Sequence, residues 1–400
     1  MNLGTLLLFT DQVYRRRGDR ITADRAFLLF VQSFVPTFDR ILFLGRVGSE
    51  PGEAPYLCTP HLNHEFHELP YYESLHKPIG FLSSLAGGLR AAWTAVGKSR
   101  ALLLGIPHPW GVLLWGMGVL RRRPVIFLVR QDLRARVRLR PRGLRKLLGS
   151  ITVLFLEDLF VFLSRWTLTF TIGGAMRERY ARFGGPVFPA FISLISSEAL
   201  AASKPRESPS ANFTPRLLCV GRLHPDKGLH VLFGALQRIL RAGSPAPVLD
   251  LVGEGPLEHV LRSRVGEMGL GERVLFHGYV PFGPRLERLY REATLFVLPS
   301  DSEGFPQVIF EAAGAALPIV CTAVGGIPST MRDRVDALLV PPRDPEALAQ
   351  TVMGVLGDPA LYARMSAGAL AFARLHTLEA ERDRMLARIT SYLNSKGGSA

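Results

Sequence analysis

Residues 216–241 read RLLCVGRLHPDKGLHVLFGALQRILR and contain one complete strand, loop and helix pattern. A short aliphatic run ends at Gly221, a polar loop follows, and the next leucines recur at the spacing of one helical face. The same alternation continues to about residue 356. Strands that alternate with helices in this way form a doubly wound, mostly parallel sheet.

The strands predicted for the second half of the chain are short aliphatic runs closed by glycine or proline. They cover residues 216–221, 248–253, 273–277, 294–298, 318–322 and 337–340. Helical patterns lie between them at 228–241, 256–268, 306–315 and 345–356. Strands in the first half are predicted at 3–9, 40–44, 101–105, 124–129 and 167–172. The sequence therefore predicts an α/β fold with two Rossmann-like domains.

A polar segment separates the two halves. Residues 201–215, AASKPRESPSANFTP, contain three prolines and have the composition of an interdomain linker. We therefore expect a first domain at 1–204, a linker at 205–215 and a second domain at 216–360. Residues 361–400 are predicted to form helices that pack back on the first domain.

Basic side chains are concentrated in the first half of the chain, which has a net charge of +14 over 400 residues. Residues 1–200 contain 26 Lys and Arg against 14 Asp and Glu, and residues 130–146 alone contain eight basic residues and one acidic residue. This distribution predicts an anionic, phosphate-bearing partner. Two interpretations of the apolar blocks at 101–120 and 147–170 are open: they lie against an anionic membrane surface, or they are core elements with basic flanks.

The composition also limits the structural class and the compartment. With 48% hydrophobic and 20% charged residues, the chain is not a disordered protein. Three cysteines without a CxxC spacing predict neither a disulfide framework nor a zinc site. The apolar run at 3–9 lacks the basic lead of a signal peptide, and prolines interrupt the block at 101–120, which disfavours a membrane span. We expect a cytoplasmic location, with peripheral attachment to the inner face of the cell membrane under the membrane interpretation.

The loop that opens the second domain has the composition of a diphosphate clamp. Residues 221–228 read GRLHPDKG, so Arg222 and Lys227 lie on either side of a turn that contains Pro225. The helix that follows offers unpaired backbone N–H groups and the positive end of its dipole. A solvated basic loop is the alternative interpretation.

A second loop combines small and acidic residues. Residues 301–311, DSEGFPQVIFE, follow the fourth predicted strand of the second domain. Pro306 suits the first helical position, and Gly304 permits the close approach of a phosphate. Glu303 and Glu311 are carboxylates at the same strand end, where they would accept hydrogen bonds from sugar or ribose hydroxyls. A capping acid plus an exposed helix acid is the alternative, but two such loops beside each other favour a nucleotide-sugar site.

These segments resemble family 4 of the retaining GT-B glycosyltransferases, also called group 1. The resemblance covers about residues 215–356 and rests on GRLHPDKG at 221–228, VGEGP at 252–256, FHGYV at 276–280, LFVLPSDSEGFPQVIFEA at 295–312 and GGIPS at 325–329. It implies a GT-B fold, in which two Rossmann-like domains face each other across a cleft. It also implies a nucleoside-diphosphate sugar as donor, retention of the anomeric configuration, and no essential metal or other cofactor.

The resemblance implies roles for particular residues. Arg222 and Lys227 match the pair that neutralises the donor diphosphate, and Glu303 matches the glutamate that orients the donor sugar. These three residues are therefore the expected catalytic residues. Glu311 matches the glutamate that binds the ribose hydroxyls. The loop whose amides face the phosphates or the sugar corresponds to Gly304, Phe305 and Pro306.

The first domain departs from the family pattern at one position. Many members have a histidine after an apolar strand, but here the strand at 124–129 is followed by Arg130, Gln131 and Asp132. Either Arg130 or Asp132 substitutes for that histidine, or this loop holds the acceptor. His108 is another candidate, and a structural role is its alternative.

The resulting primary hypothesis is transfer of a hexose-type sugar to a lipid-linked, glycan or polysaccharide acceptor. A second hypothesis is that the basic half binds nucleic acid and the second domain is a degenerate sugar-nucleotide fold. Residues 130–146 contain no aromatic side chain for base stacking, which counts against it. A sugar-nucleotide epimerase or a phosphorylase of the same architecture is a further alternative.

Overall fold

The structure is a computed structural model. It describes residues 3–35, 37–48, 54–59, 63–73, 78–130, 134, 144–174, 176–210, 213–243 and 246–397. The chain divides into two compact units. The first unit is Met1–Ile192 together with Glu381–Ala400, and the second unit is Ser193–Ala380.

Within the described residues, the first unit contains a nine-stranded sheet. Its strands are β1 (Thr5–Arg17), β2 (Arg20–Ala23), β3 (Arg40–Val47), β4 (Tyr56–Leu57), β5 (His64–Leu69), β6 (Ala101–Ile106), β7 (Val125–Val129), β8 (Leu168–Ile172) and β9 (Val187–Ala190). Parallel pairing gives the order β5-β3-β1-β6-β7-β8-β9, while β2 and β4 pair antiparallel. The order reverses between β1 and β6, which is the topological switch point where ligands bind in doubly wound sheets.

The first unit contains the apolar blocks at 101–120 and 147–170, for which the sequence allowed two interpretations. Its helices are α1 (Phe27–Gln32), α2 (Pro78–Lys98), α3 (Pro109–Leu120), α4 (Leu144–Leu163) and α5 (Arg177–Tyr180). The apolar block at 101–120 is β6 followed by α3, whose Trp110 and Leu114 are buried in the core of this unit. None of the helices in the described ranges has the length and hydropathy needed to cross a membrane.

The second unit contains a six-stranded sheet that is parallel throughout. Its strands are β10 (Arg216–Val220), β11 (Val248–Val252), β12 (Val274–Gly278), β13 (Leu295–Leu298), β14 (Ile319–Thr322) and β15 (Leu338–Val340). Their order is β12-β11-β10-β13-β14-β15, so the switch point lies between β10 and β13. Because helices cover both faces, most strand residues are buried and the strands are aliphatic runs without alternation.

The helices of the second unit follow its strands. They are α6 (Ser197–Ala201), α7 (Leu229–Arg241), α8 (Glu258–Glu267), α9 (Pro284–Glu292), α10 (Gln307–Gly314), α11 (Pro345–Gly357) and α12 (Pro359–Leu375). A last helix, α13 (Leu378–Gly397), begins in this unit and continues into the first. The leucine stripe of α7 is buried against the sheet, as its helical spacing predicts.

The predicted linker at 205–215 differs from what the structure shows, because the second unit already begins at Ser193. Arg206 fastens this segment: its guanidinium donates four hydrogen bonds of 2.8–3.1 Å to backbone carbonyls. The acceptors are the carbonyl oxygens of Tyr290, Arg291, Ala293 and Ala315. These carbonyls end α9 and α10, where a cation is also favoured by the helix dipoles.

The predicted C-terminal segment at 361–400 is likewise divided. Helix α12 belongs to the second unit because its polar groups bond there: the Tyr362 hydroxyl donates to the Thr294 carbonyl at 3.0 Å, and the Ser366 hydroxyl donates to the Ala316 carbonyl at 2.8 Å. The first unit takes up the chain only from Glu381.

Candidate functional site

Three loops meet at the switch point of the second unit, at the carboxyl ends of β10, β13 and β14. They are residues 221–228, 299–306 and 323–329. The Asp301 N–H donates to the Asp226 carbonyl at 2.8 Å, which joins the first two loops, and the Gly326 N–H donates to the Gly304 carbonyl at 2.8 Å, which joins the second and third. The two predicted motifs are therefore hydrogen-bonded to each other.

Two glycines permit this close approach of the loops. A Cβ atom on Gly228 would lie 2.0 Å from the carbonyl oxygen of Pro299, and one on Gly325 would lie 1.7 Å from that of Glu303. Both glycines have φ angles near +60°, a conformation that side chains disfavour. The sequence pattern of glycines around the site is thus a requirement of backbone packing.

The central contact of the site joins Lys227 and Glu303. The Lys227 Nζ lies 2.5 Å from the Glu303 Oε1, and the Ser300 hydroxyl donates to the same oxygen at 2.7 Å. Only 15% of the Lys227 side chain and 9% of the Glu303 side chain are exposed. Two residues 76 positions apart therefore form a nearly buried ion pair at the point where the sheet topology places ligands.

Arg222 lies in the first site loop with an exposed side chain, within electrostatic reach of Asp226. Asp226 also bonds to the Nδ1 of His224. The loop thus presents an accessible guanidinium next to the more buried ammonium of Lys227. Two cations on one turn form an arrangement that can bind a diphosphate.

Glu311 is buried on α10, and its Oε2 accepts a hydrogen bond of 2.9 Å from the Tyr290 hydroxyl. Burial raises the pKa of Glu311 to about 7, although the Tyr290 bond acts in the opposite direction. The carboxyl lines a cavity of about 510 Å³. The apolar walls of this cavity include Leu194, Ile195, Leu200, Phe282 and Leu286.

Cys219 is buried on β10. Its thiol interacts electrostatically with Lys227 and Glu303 and also with Tyr290. Burial raises its pKa to about 12, so the thiol is neutral. The ion pair and Glu311 are thus neighbouring but separate parts of the site: Glu311 does not belong to the Lys227 and Glu303 contact.

The loop residues Gly304, Phe305 and Pro306 connect these two parts. Phe305 is buried, with ring centroids 5.0 Å from Phe310 and 6.1 Å from Phe372, so it anchors the loop to the core. The prediction that the helix starts at Pro306 is corrected by one residue. Pro306 has extended backbone angles, φ −79° and ψ 133°, and α10 begins at Gln307.

The first unit has its own polar network at its switch point. The Nδ1 of His108 accepts the Trp110 N–H at 3.1 Å and caps α3, so its Nε2 carries the proton and donates to the Tyr72 hydroxyl at 2.9 Å. Tyr72 in turn donates to Asp11 at 3.2 Å, and Arg46 donates to Asp11 at 3.0 Å. Burial lowers the pKa of His108 to about 4, which keeps the ring neutral.

The other candidates of the first domain lie at the end of β7. The guanidinium of Arg130 lies 4.2 Å from the centre of the Phe27 ring, and burial lowers its pKa to about 9. Asp132 lies outside the described residues, as do the other residues at 131–133 and 135–143 of the basic run. Arg134 is described and pairs with Asp158.

Sequence reasoning missed two residues of the site. Ser300, which supports Glu303, is the second residue after β13, and a polar side chain at the carboxyl end of a parallel strand is a signal for it. Tyr290 lies on α9, a helix for which we made no prediction. That helix begins with a proline at Pro284, and the four-residue spacing from Leu286 to Tyr290 places both on its buried face.

Two units with the same reversal of strand order, each with polar side chains at its switch point, define the fold as GT-B. The fold of HepE from Anabaena, solved in complex with UDP-glucose, is similar, with a TM-score of 0.68 and 17% identity over 97% of this chain and 99% of that chain. Residues 214–358 match the sequence model of the family Glycosyl transferases group 1. The chain has the GT-B fold, and its residues 214–358 are similar to group 1 of the glycosyl transferases.

Two curated relatives match about half of this chain. D-inositol 3-phosphate glycosyltransferase 1 of Catenulispora acidiphila is 33% identical over 191 residues, which is 46% of this chain and 45% of that protein. The GDP-mannose-dependent alpha-(1-6)-phosphatidylinositol monomannoside mannosyltransferase of Mycolicibacterium smegmatis is 29% identical over 222 residues, 52% of this chain and 55% of that protein. The match thus spans about half the length of these relatives.

Proposed function

We propose that this protein is a retaining glycosyltransferase that moves a hexose-type sugar from a nucleoside-diphosphate sugar to a lipid-linked, glycan or polysaccharide acceptor. The observation that carries the proposal is the contact between Lys227 and Glu303 at the switch point of the second unit. A cation for the diphosphate and a carboxylate for the sugar then lie side by side. The group 1 match over residues 214–358 supports the same activity.

The ion pair supplies the chemistry of donor activation in this proposal. Lys227 and Arg222 bind the diphosphate, and Glu303 accepts hydrogen bonds from hydroxyls of the donor sugar. As the bond between sugar and diphosphate breaks, negative charge grows on the leaving group, and the two cations stabilise it. The reaction accordingly proceeds without a bound metal ion.

The cavity beside Glu311 takes the nucleoside. Its carboxylate accepts the ribose hydroxyls, and the Tyr290 hydroxyl keeps one carboxylate oxygen in place at 2.9 Å. The apolar wall formed by Phe282 and Leu286 suits the faces of a base. HepE was solved with UDP-glucose, whereas the name of the mycobacterial relative specifies GDP-mannose, so the base of this donor has to be measured.

The first unit binds the acceptor in this proposal. The names of both relatives refer to inositol compounds, one of them a phosphate and the other a lipid. A phosphate-bearing or lipid-linked acceptor also agrees with the excess of basic residues in the first half of the chain. We place the reaction at the cytoplasmic face of the cell membrane.

Thermal unfolding with nucleotides tests the donor site. Binding to the folded state alone raises its stability by about 2.7 kcal/mol at a ligand concentration of 100 Kd. We expect either UDP or GDP to raise the Tm, and ADP to have less effect. Lys227→Gln, which can still bond to Glu303 but lacks the charge, should lose most of this increase. The matched control Arg238→Gln changes an exposed cation of the same unit and should keep it.

Two results would contradict the proposal: no nucleoside diphosphate changes the Tm, or Lys227→Gln and Arg238→Gln respond equally. Turnover of UDP- and GDP-sugars separates the enzyme classes. Formation of a rearranged sugar nucleotide without any acceptor would favour the epimerase, and a strict requirement for free phosphate would favour the phosphorylase.

A further inference from the structure

A second cavity, of about 470 Å³, lies in the first unit. It opens where three parallel strands begin: Arg100 precedes β6, Pro124 precedes β7 and Thr167 precedes β8. The polar network around His108 lies at the opposite, carboxyl ends of these strands. The cavity is therefore distinct from the switch point, where a doubly wound sheet binds its substrates.

The cavity is lined by cations whose charge is not neutralised locally. They are Arg100, Arg122, Arg123 and Lys396. Within the ranges that the structure describes, no carboxylate lines the cavity or forms an ion pair with any of the four. Arg123 donates to the Gly97 carbonyl at 3.3 Å, but its buried Nε has no hydrogen-bond partner. Four such cations around one cavity attract a phosphate anion.

Three aromatic residues also line the cavity: Trp115, Trp166 and Tyr392. The indole N–H of Trp115 donates to the Thr167 hydroxyl at 3.1 Å, and the Tyr392 hydroxyl donates to the Trp166 carbonyl at 3.3 Å. The Lys396 Nζ lies 5.8 Å from the centre of the Tyr392 ring. Aromatic rings with one polar end are the side chains preferred at the level of lipid headgroups.

The rim of the cavity is apolar and exposed. Trp166 is 51% exposed, Val119 is 54% exposed, and the neighbouring Leu120 is 76% exposed. Trp166 continues the surface to Phe162, at 5.0 Å between ring centroids, and Phe162 continues it to Phe183, at 5.7 Å. A connected apolar surface around a basic cavity indicates a partner with an anionic surface layer and an apolar layer beneath it.

This combination distinguishes the candidate ligands. A free phosphate ion would use the cations but would leave the exposed rim without a role. Nucleic acid would stack bases on Trp166, but Val119 and Leu120 are aliphatic and offer no ring. An anionic bilayer accounts for both parts, because its phosphates and its acyl chains lie within several ångströms of each other.

We propose that this cavity binds the phosphate of an anionic phospholipid, and that Leu120 and Trp166 enter the boundary between headgroups and acyl chains. The first unit then docks on an anionic membrane through the amino ends of its strands. The proposal concerns lipid binding and does not depend on sugar transfer by the second unit.

Vesicle sedimentation of the full chain tests the proposal. The probes are vesicles of phosphatidylcholine alone and of phosphatidylcholine with 30% phosphatidylglycerol, a mixture on the order of one anionic lipid in three. We expect binding to the anionic vesicles only. Arg122→Glu/Lys396→Glu should weaken it at least about tenfold, because each basic residue contributes roughly fivefold near such a surface. Leu120→Ser should weaken it several-fold with no change of charge.

The matched control is Arg241→Glu/Arg264→Glu, which reverses two exposed cations of the second unit and should leave vesicle binding within about twofold of wild type. The Tm of each variant shows that it is folded. Equal binding by the Arg122→Glu/Lys396→Glu variant would overturn the proposal, as would equal binding to phosphatidylcholine alone. Release by millimolar inorganic phosphate would assign the cavity to a free anion, and tight retention on DNA without vesicle binding would assign it to nucleic acid.

Discussion

The ion-paired site of the second unit and the basic cavity of the first unit both contain several cations, but they differ in whether a carboxylate pairs with the cation. Lys227 is nearly buried and is held by Glu303, whose position Ser300 supports. Arg122 and Lys396 are exposed, and no carboxylate of the described residues pairs with them. A cation that is fixed by a partner can define the position of one ligand group. Cations without a partner supply a field that suits a surface of many equivalent charges.

The largest effect that we predict separates these two regions. Glu303→Gln should lower kcat/KM for sugar transfer on the order of 100-fold, because a neutral amide is a weaker acceptor for the sugar hydroxyls in the transition state. The affinity for the nucleoside diphosphate should not fall, since Lys227 is released from its carboxylate. Initial rates with saturating acceptor, together with nucleotide titrations, provide the measurement. Normal sugar transfer by Glu303→Gln would show that Glu303 takes no part in the mechanism. Reduced vesicle binding by the same variant would show that the two regions do not act independently.

A smaller predicted effect is a pH dependence of nucleotide affinity at the cavity beside Glu311. Because the pKa of Glu311 is raised to about 7 by burial, its carboxylate fraction grows between pH 6 and pH 8, while the raised pKa of Tyr290 keeps that hydroxyl protonated. Wild-type affinity for the nucleotide should therefore rise over this range. Glu311→Gln should bind about tenfold more weakly at pH 8 and with little pH dependence. A pH profile of Glu311→Gln that parallels wild type would contradict this role.

The same carboxyl affects stability with a defined sign. Its pKa is higher in the folded state than the ordinary 4.5, so the unfolded chain ionises first as the pH rises. The free energy of unfolding without ligand should then fall from about pH 4.5 to about pH 7 by a contribution that Glu311→Gln lacks. Urea unfolding of both proteins over this range measures the difference.

A further prediction probes the backbone contact between the two site loops. Gly228→Ala places a Cβ 2.0 Å from the Pro299 carbonyl oxygen in a left-handed backbone, so the two site loops have to separate. We expect a Tm lowered by on the order of 5 °C and a donor KM raised several-fold. Gly271→Ala is the matched control, because a Cβ there has open space around it. Equal Tm values for the two variants would show that the contact carries no strain.

The smallest expected effect is that of metal removal. If Lys227 and Arg222 neutralise the diphosphate, chelation with EDTA should change the transfer rate by less than about twofold. Rates after dialysis against EDTA, with and without added Mg²⁺ or Mn²⁺, measure this. Loss of activity that either metal restores would transfer the stabilising role from the two side chains to an ion.

The second unit was largely predictable from the sequence because its signals are local. Buried parallel strands are short aliphatic runs, and the observed β10 (Arg216–Val220) and β14 (Ile319–Thr322) lie within one residue of the predicted 216–221 and 318–322. No local sequence pattern relates Lys227 to Glu303, which lies 76 residues further along the chain. Only the proximity of the two loops was predicted, from the resemblance and from the rule that loops at one end of a parallel sheet converge.

The first unit was less predictable because several of its strands do not have that aliphatic composition. Strand β1 extends through three arginines to Arg17, and β5 (His64–Leu69) reads HEFHEL, in which only Phe66 and Leu69 are apolar. The network of Asp11, Tyr72 and His108 joins residues from distant parts of the chain, and no spacing in the sequence relates them. Only the sheet order brings them together.

Arg206 connects the ends of two helices that line the cavity beside Glu311, since α9 holds Tyr290 and α10 holds Glu311. Its guanidinium touches neither of these side chains directly, yet it fixes the relative orientation of the helices that present them. A substitution at this position would therefore alter ligand affinity from a distance, without changing any group in the cavity. Substitutions in residues 201–215, which have the composition of a linker, would then change the cavity beside Glu311.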